Sequence, residues 1–276
     1  MHPLRYEVVV RTDSVSAGLE AKFHQLAAER GFIHVSQQQD EPPHLIVSIG
    51  GDGTFLQAFH RYTEQIHHLS FVGVHTGHLG FYADWKPTEL EVLVDSIELA
   101  RQDWAKSVVK YPLVDIRLES EDGHENLLAV NEFTIKSEDG TLVCQININD
   151  QRFEMFRGDG ICVSTPSGST GYNKSVGGAV IHPSFEAIQL AGIAALNNRV
   201  YRSLGSPIVL PQHHHCDILP RAGQTLIFTV DHLHMHRSNI KAIRCMVAAH
   251  KVSFNRFRPF PFWNRVREAF IGQETE

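Results

Sequence analysis

Residues 45–59 read LIVSIGGDGTFLQAF, an apolar run that ends in Gly50, Gly51, Asp52, Gly53 and Thr54. Glycine lets a backbone bend sharply and approach a ligand closely. A helix starting just after it, expected over 54–65, aims free N–H groups at whatever lies in front. Phosphate oxygens suit such a place. Asp52 does not, because a carboxylate repels phosphates unless it holds a cation or takes a proton from a hydroxyl. Both tasks belong to phosphoryl transfer. A Walker loop would place Lys after the glycines, and none is present here. The plainer reading is that Asp52 caps the helix, since aspartate is a favoured N-cap.

A second cluster spans residues 157–178, RGDGICVSTPSGSTGYNKSVGG, with six glycines, four serines and two threonines. Pro166 breaks a strand, and Ser167 to Thr170 form a hydroxyl-rich turn able to bind phosphate or ribose. The Tyr172 ring offers a surface for stacking on a base. A surface loop is the alternative. Between the clusters, VNEFTI puts Asn131 and Glu132 into an otherwise apolar strand, where the pair can hydrogen-bond two ribose hydroxyls or form a solvated bulge. His78 lies at the strand-end rim where ligands bind in α/β sheets. His213, His214 and His215 are adjacent and alternate faces on a strand, so they do not grip one ion together.

These residues need elements to hold them. A strand over 6–12, a helix over 15–30 capped by Asp13 and Ser14, a short strand over 32–36, and strands over 44–49 and 69–76 alternate with helices. A further helix starts at Thr88 with Thr88 and Glu91 as its capping box. This is a doubly wound, Rossmann-like α/β domain over residues 1–104, with the GGDGT loop inside it. The usual dinucleotide fingerprint is absent, because the turn after the first strand reads RTDS. Residues 105–252 form a β-rich domain of alternating segments with one expected helix over 185–196. The aromatic tail, 253–276, with Phe257, Phe260, Phe262, Trp263 and Phe270, is expected to dock back on the first domain.

Composition narrows the classes. The net charge of -6 argues against a nucleic-acid protein with a broad basic face. No run of eighteen apolar residues occurs, so no membrane helix is expected. The start lacks the pattern of a secretory signal. Cys144, Cys162, Cys216 and Cys245 lie far apart, which fits reduced thiols in the cytoplasm.

GGDGT at 50–54, HTGHLGFYADW at 75–85, NE at 131–132, GDG at 158–160, STPSGSTGYNKSVGG at 164–178 and VDH at 230–232 together resemble the NAD kinase family. The length and the tail FRPFPFW are most similar to the shorter enzymes of Gram-positive bacteria. The resemblance implies phosphoryl transfer from ATP or polyphosphate, with Mg²⁺ or another divalent cation, to the adenosine 2′-hydroxyl of NAD. In that reading Asp52 is the general base and Gly50, Gly51, Gly53 and Thr54 form the phosphate loop. Asn131, Glu132, Arg157, Asp159, Ser167, Thr170, Gly171, Tyr172, Asn173, Lys174, Ser175, Ala194 and His232 are the implied NAD-binding positions, with His78 and Phe81 as further contacts. Gly171 departs from the small residue, usually Ala, that the family shows there. The family also implies a homotetramer whose site draws on two subunits. Lipid kinases and phosphofructokinases share a GGDG loop, so a lipid or sugar kinase is one alternative. A non-catalytic NAD(P) sensor is another.

Overall fold

The computed structural model describes residues 3–35 and 42–272. The chain forms two compact units, one from Met1–Lys110 with Val252–Glu276, the other from Tyr111–Lys251.

The first unit opens with β1 (Arg5–Val10), α1 (Ser14–Glu29), β2 (Ile33–His34), β3 (Leu45–Gly50), α2 (Asp52–Arg61) and β4 (Ser70–His75). It continues through α3 (Leu90–Ala100), α4 (Trp104–Ser107) and β5 (Val108–Tyr111). Asp13 caps α1 by accepting the Ser16 N–H at 2.8 Å. Gly31, at φ +67°, ends that helix in the left-handed conformation that glycine adopts without strain. The expected strand over 32–36 is reduced to two residues, and Ser36 lies outside the described residues.

Every residue of β3 is buried, because β1 and β4 pair with it in parallel and helices cover both faces. Leu45, Val47 and Ile49 join the cluster made with Phe23 of α1 and with Leu90, Leu93 and Ile97 of α3. On another side Phe55 of α2 meets Phe71 at 5.3 Å and stacks on Tyr82 at 4.4 Å. The expected capping box at Thr88 and Glu91 is displaced by two residues, to Lys86 and Glu89. A 3₁₀ turn over Pro87–Glu89 precedes α3, and the Glu89 carboxylate accepts the Lys86 N–H at 2.9 Å. Proline at the first position presets that turn.

The second unit contains β6 (Val114–Ser120), β7 (His124–Ala129), β8 (Glu132–Ser137), β9 (Leu142–Ile148), β10 (Gln151–Gly158) and β11 (Gly160–Ser164). After a 3₁₀ turn (Ser167–Thr170) and the short α5 (Tyr172–Ser175) come β12 (Ala187–Ile193), β13 (Ile208–Pro211), β14 (His215–Pro220), β15 (Leu226–Val230), β16 (Leu233–Arg237) and β17 (Ile240–Val247). They build two sheets, ordered β10-β9-β14-β17-β6-β7 and β13-β12-β11-β8-β15-β16. Alternate residues of both face one core that includes Ile116, Ile146, Ile218 and Ile243 from the first sheet and Phe133, Val163, Leu190 and Phe228 from the second. Phe133 and Phe228 are fully buried and meet edge to face at 5.3 Å. Removing either ring costs about 3–5 kcal/mol.

The helix expected over 185–196 is a strand. Residues Ala187–Ile193 pair antiparallel with β11 on one side and β13 on the other. A short run of Ala, Ile and Leu has no decisive period, and the sheet positions on either side override its helix propensity. Two strands without a clear alternating pattern, β14 and β16, also escape the sequence reading. The chain then returns to the first unit as β18 (Val252–Asn255), which pairs in parallel with β4, and as α6 (Phe262–Phe270). That unit's sheet therefore runs β2-β1-β3-β4-β18-β5. Phe257 packs on Trp85 and Trp104, and Phe262 and Phe270 both approach Phe81.

Candidate functional site

In the first unit the GGDGT loop sits at the C-terminal end of β3, where parallel sheets bind ligands. Gly51 is the N-cap of α2 and Asp52 its first residue, so the helix begins at Asp52 rather than at Thr54. Asp52 makes no capping bond. Its carboxylate instead accepts the backbone N–H groups of Phe81 and Tyr82 at 2.9 and 3.1 Å. Gly80 is obligatory beside it, because a Cβ there would collide with the Asp52 carboxylate. A Cβ on Gly50 would likewise strike Thr54, whose side chain is buried. The HTGHLGFYADW segment thus contributes backbone N–H groups to the site. His78 of that segment is exposed.

Burial pushes the Asp52 carboxyl above the usual carboxylate range, and the Asp84 charge adds to the rise. The two backbone bonds and the Arg265 charge pull in the other direction. Arg265 comes from the tail helix α6. It donates to the carbonyls of Gly80 and Ala83 at 2.5 and 3.1 Å and to Asp84 at 2.6 Å. Arg256 also pairs with Asp84. The sequence reading took this tail for aromatic packing alone and missed Arg265. A charged residue among so many rings was the available signal.

In the second unit Asn131 and Glu132 begin β8. The Asp231 carboxylate, in the β15–β16 turn, accepts the N–H groups of Val130, Asn131 and Glu132 at 3.0, 2.7 and 3.2 Å. Asp231 itself has φ +53°, a left-handed conformation that Asp tolerates better than most residues. The motif VDH marked this place, but Asp231 was not among the candidate residues. His232 follows it. The serine-rich turn lies directly against the pair. Thr165 donates its N–H to the Asn131 carbonyl at 2.8 Å and its hydroxyl to the Val130 carbonyl at 2.6 Å. A Cβ on Gly168 would run into the Asn131 backbone, and one on Gly171 would stand 3.1 Å from Glu132 Oε2. The glycine at 171 therefore opens space next to that oxygen.

Several polar atoms here are buried without a hydrogen bond among the described residues: Glu132 Oε2, Ser167 Oγ and both amide atoms of Asn173. Such atoms are costly unless a ligand or water satisfies them. Burial, and then the Asp231 charge, push the Glu132 carboxyl up to about 8. Tyr172 is exposed, with the Lys136 ammonium 5.4 Å from its ring centre. Thr170 donates its hydroxyl to the Ser167 carbonyl at 3.1 Å. Gly171, Lys174 and Ser175 are exposed.

Arg157, Asp159 and Ala194 are brought together where β10 turns into β11. Asp159 donates its N–H to the Ile193 carbonyl at 2.9 Å, and the Leu196 N–H reaches the Arg157 carbonyl at 2.8 Å. The Arg157 guanidinium lies 4.2 Å above the Tyr201 ring. Ala194 follows β12 at φ +46°, rather than lying on a helix.

Among the described residues the one cluster with metal-ligand spacing is Asp150, His215 and Asp217. Arg244 already donates to Asp217 at 2.6 and 3.0 Å and to Asp150 at 2.7 Å. The guanidinium supplies the positive charge that a cation would bring.

An α/β unit ending a buried strand in Gly-Gly-Asp-Gly-Thr, with a β unit carrying a clamped Asn-Glu pair, defines a two-domain kinase of the GGDG-loop class. Residues 10–99 match the family model of the ATP-NAD kinase N-terminal domain, and residues 130–257 that of the ATP-NAD kinase C-terminal domain. The chain belongs to the NAD kinase family. It is 49% identical over 273 residues to NAD kinase 1 of Bacillus cereus, covering 98% of this chain and 100% of the relative. It is 49% identical over 276 residues to an NAD kinase of Staphylococcus aureus, covering 99% and 100%. Among solved structures, a yeast NADH kinase complexed with NADH aligns with a TM-score of 0.81 at 17% identity, over 100% of this chain and 90% of that one. An NAD kinase from Archaeoglobus fulgidus in complex with ATP aligns with a TM-score of 0.74 at 23% identity, over 96% and 99%. Those two likenesses speak to the fold.

Proposed function

We propose that this chain phosphorylates the adenosine 2′-hydroxyl of NAD, giving NADP, with Asp52 as general base and ATP or polyphosphate as donor. The observation that carries this is the Asp52 carboxylate, half-buried at a helix start and held by two backbone N–H groups. A ribose hydroxyl is a weak nucleophile at neutral pH. A fixed carboxylate whose proton affinity is raised by burial removes its hydrogen as the hydroxyl oxygen bonds to the terminal phosphorus. The glycines in front of α2 leave room for the donor's phosphates beside free backbone N–H groups.

Asn131, Glu132 and the 167–175 turn hold the dinucleotide in this reading, with the orphaned atoms of Glu132, Ser167 and Asn173 as its polar contacts. Arg157, Asp159, Ala194 and His232 complete the recognition. A divalent cation enters with the donor, whose phosphates supply its ligands. The chain's described residues do not fit a protein-held magnesium site at the loop, because Asp84 is committed to Arg256 and Arg265 and the Asp52 oxygens to backbone N–H groups. The family likeness adds a cytoplasmic homotetramer, which light scattering of the purified protein tests.

The deciding assay supplies NAD with ATP or polyphosphate and reads NADP. NADP must appear with at least one donor. NAD left untouched while a lipid or sugar is phosphorylated would overturn the substrate. NAD bound without turnover would make the chain a sensor.

A further inference from the structure

We propose that Glu132 works as a neutral carboxylic acid, keeping its proton in the site and donating it in a hydrogen bond to the bound dinucleotide. A pocket that already contains one carboxylate thereby accepts a ligand carrying phosphate charge. The inference rests on NAD as the ligand, and it gives Glu132 the donor's part in a hydrogen bond to it.

The geometry behind it is a division of donors. An ionised carboxylate buried in protein needs two or three N–H groups or a cation to hold it. The backbone N–H groups of Val130, Asn131 and Glu132 all point to Asp231 instead. Asp231 therefore receives the donors that an ionised Glu132 would need. Glu132 Oε2 is left buried with no hydrogen bond among the described residues. An oxygen in that position is better served by carrying a hydrogen.

The surrounding groups act the same way. Asp231 raises the proton affinity of Glu132 from the β15–β16 turn, where His232 is its neighbour. On β11, Ser164 is the register partner of Glu132, and burial pushes the nearby Cys162 thiol well above its ordinary value, so it brings no charge to the site. Lys136, four residues along β8, faces the Tyr172 ring. The turn over Glu132 brings Gly168 and Gly171, and the one charged residue from 164 to 178 is Lys174. Together these leave Glu132 with its proton affinity centred at about 8, so near neutral pH most molecules carry the proton. A buried acid kept neutral so that it can donate is an established device of enzyme sites.

Calorimetric titration of the full chain with NAD, from about pH 6.5 to about pH 9.5, tests this. Affinity should be constant at the acid end and weaken about tenfold per pH unit above about 8. Glu132→Gln, which donates at every pH, should bind within a few-fold of wild type at neutral pH and lose the alkaline decline. Affinity that is flat or rises with pH in the wild type would overturn the proposal, as would a Gln variant that loses binding at neutral pH while still folded. A second measurement needs no ligand. The infrared spectrum of the unliganded protein at neutral pH should contain a protonated-carboxyl band that titrates away near pH 8 and is missing in Glu132→Gln. Absence of that band in the wild type overturns the proposal even if the variant does not fold. If NAD fails to bind at any pH, the functional reading above fails, and the infrared band still decides the state of Glu132.

Discussion

Asp231 and Glu132, ninety-nine residues apart, bond reciprocally: the Asp231 N–H donates to the Glu132 carbonyl at 2.9 Å, and the Asp231 carboxylate accepts the Glu132 N–H at 3.2 Å. This exchange ties the start of β8 to the β15–β16 turn. It fixes where the Asn131 and Glu132 side chains begin.

Asp231→Asn tests that tie. Asparagine tolerates the same left-handed backbone, so the change isolates the charge and the acceptor count. A carboxylate accepting three N–H groups becomes an amide with one acceptor oxygen. The expected loss is about 1–3 kcal/mol of stability, read by urea denaturation, together with weaker NAD binding. An unchanged melting midpoint and unchanged affinity would show that the clamp is incidental.

Asp52→Asn removes the base while its remaining oxygen still accepts from the 81–82 backbone. Turnover should fall by about 10²–10⁴, with NAD binding kept. Gly80→Ala approaches the same carboxylate from outside, since the added methyl has no room beside it. Steady-state kinetics should show kcat falling more than KM rises in both variants. Wild-type kcat in Asp52→Asn excludes it as the base.

Arg265 offers a test of the tail. Its side chain is 9% exposed and is shared among two carbonyls and Asp84. Arg265→Met strands the Asp84 carboxylate with Arg256 alone and frees the loop that holds Asp52. Breaking a buried pair in this way costs about 3–5 kcal/mol. Thermal unfolding reads the stability, and kcat should fall as the Phe81 and Tyr82 N–H groups lose their fixed position. Equal stability and turnover in the variant would reduce the tail to packing.

A pH effect is expected in the first unit. His24 is hydrogen-bonded to the Tyr6 hydroxyl at 2.8 Å, and burial, helped by neighbouring His34, lowers its proton affinity from the ordinary 6.5. Below about 6.5 the unfolded chain therefore binds more protons at this site than the folded one. The His24 contribution is complete above that value and declines as pH falls toward the depressed folded value. Denaturation midpoints measured across that window should decline in the wild type, and more gently in His24→Gln.

Local chemistry made much of this molecule legible in its sequence. The apolar run before Gly50 has only one low-energy use, a strand buried on both faces, and the helix caps at Asp13 and Gly31 follow from side-chain and backbone preferences a few residues long. The GGDGT loop and the Asn131–Glu132 pair stood out because glycines and acids interrupt apolar strands at a cost in stability. The run at 187–193 was misread because Ala, Ile and Leu fit helix and strand alike, and β11 and β13, its partners in the sheet, decided between them.

Residue types and spacing alone settled the strand–loop–helix that presents Asp52, and the chemistry its carboxylate is suited to. Only the tertiary structure decided which distant groups control that chemistry. Arg265 reaches the loop from 185 residues further along, and Asp231 collects the N–H groups of residues 130–132 from across a sheet. Hydrogen bonds act over about 3 Å of space, whatever the separation along the chain, so partners of this kind leave no periodic mark in the sequence.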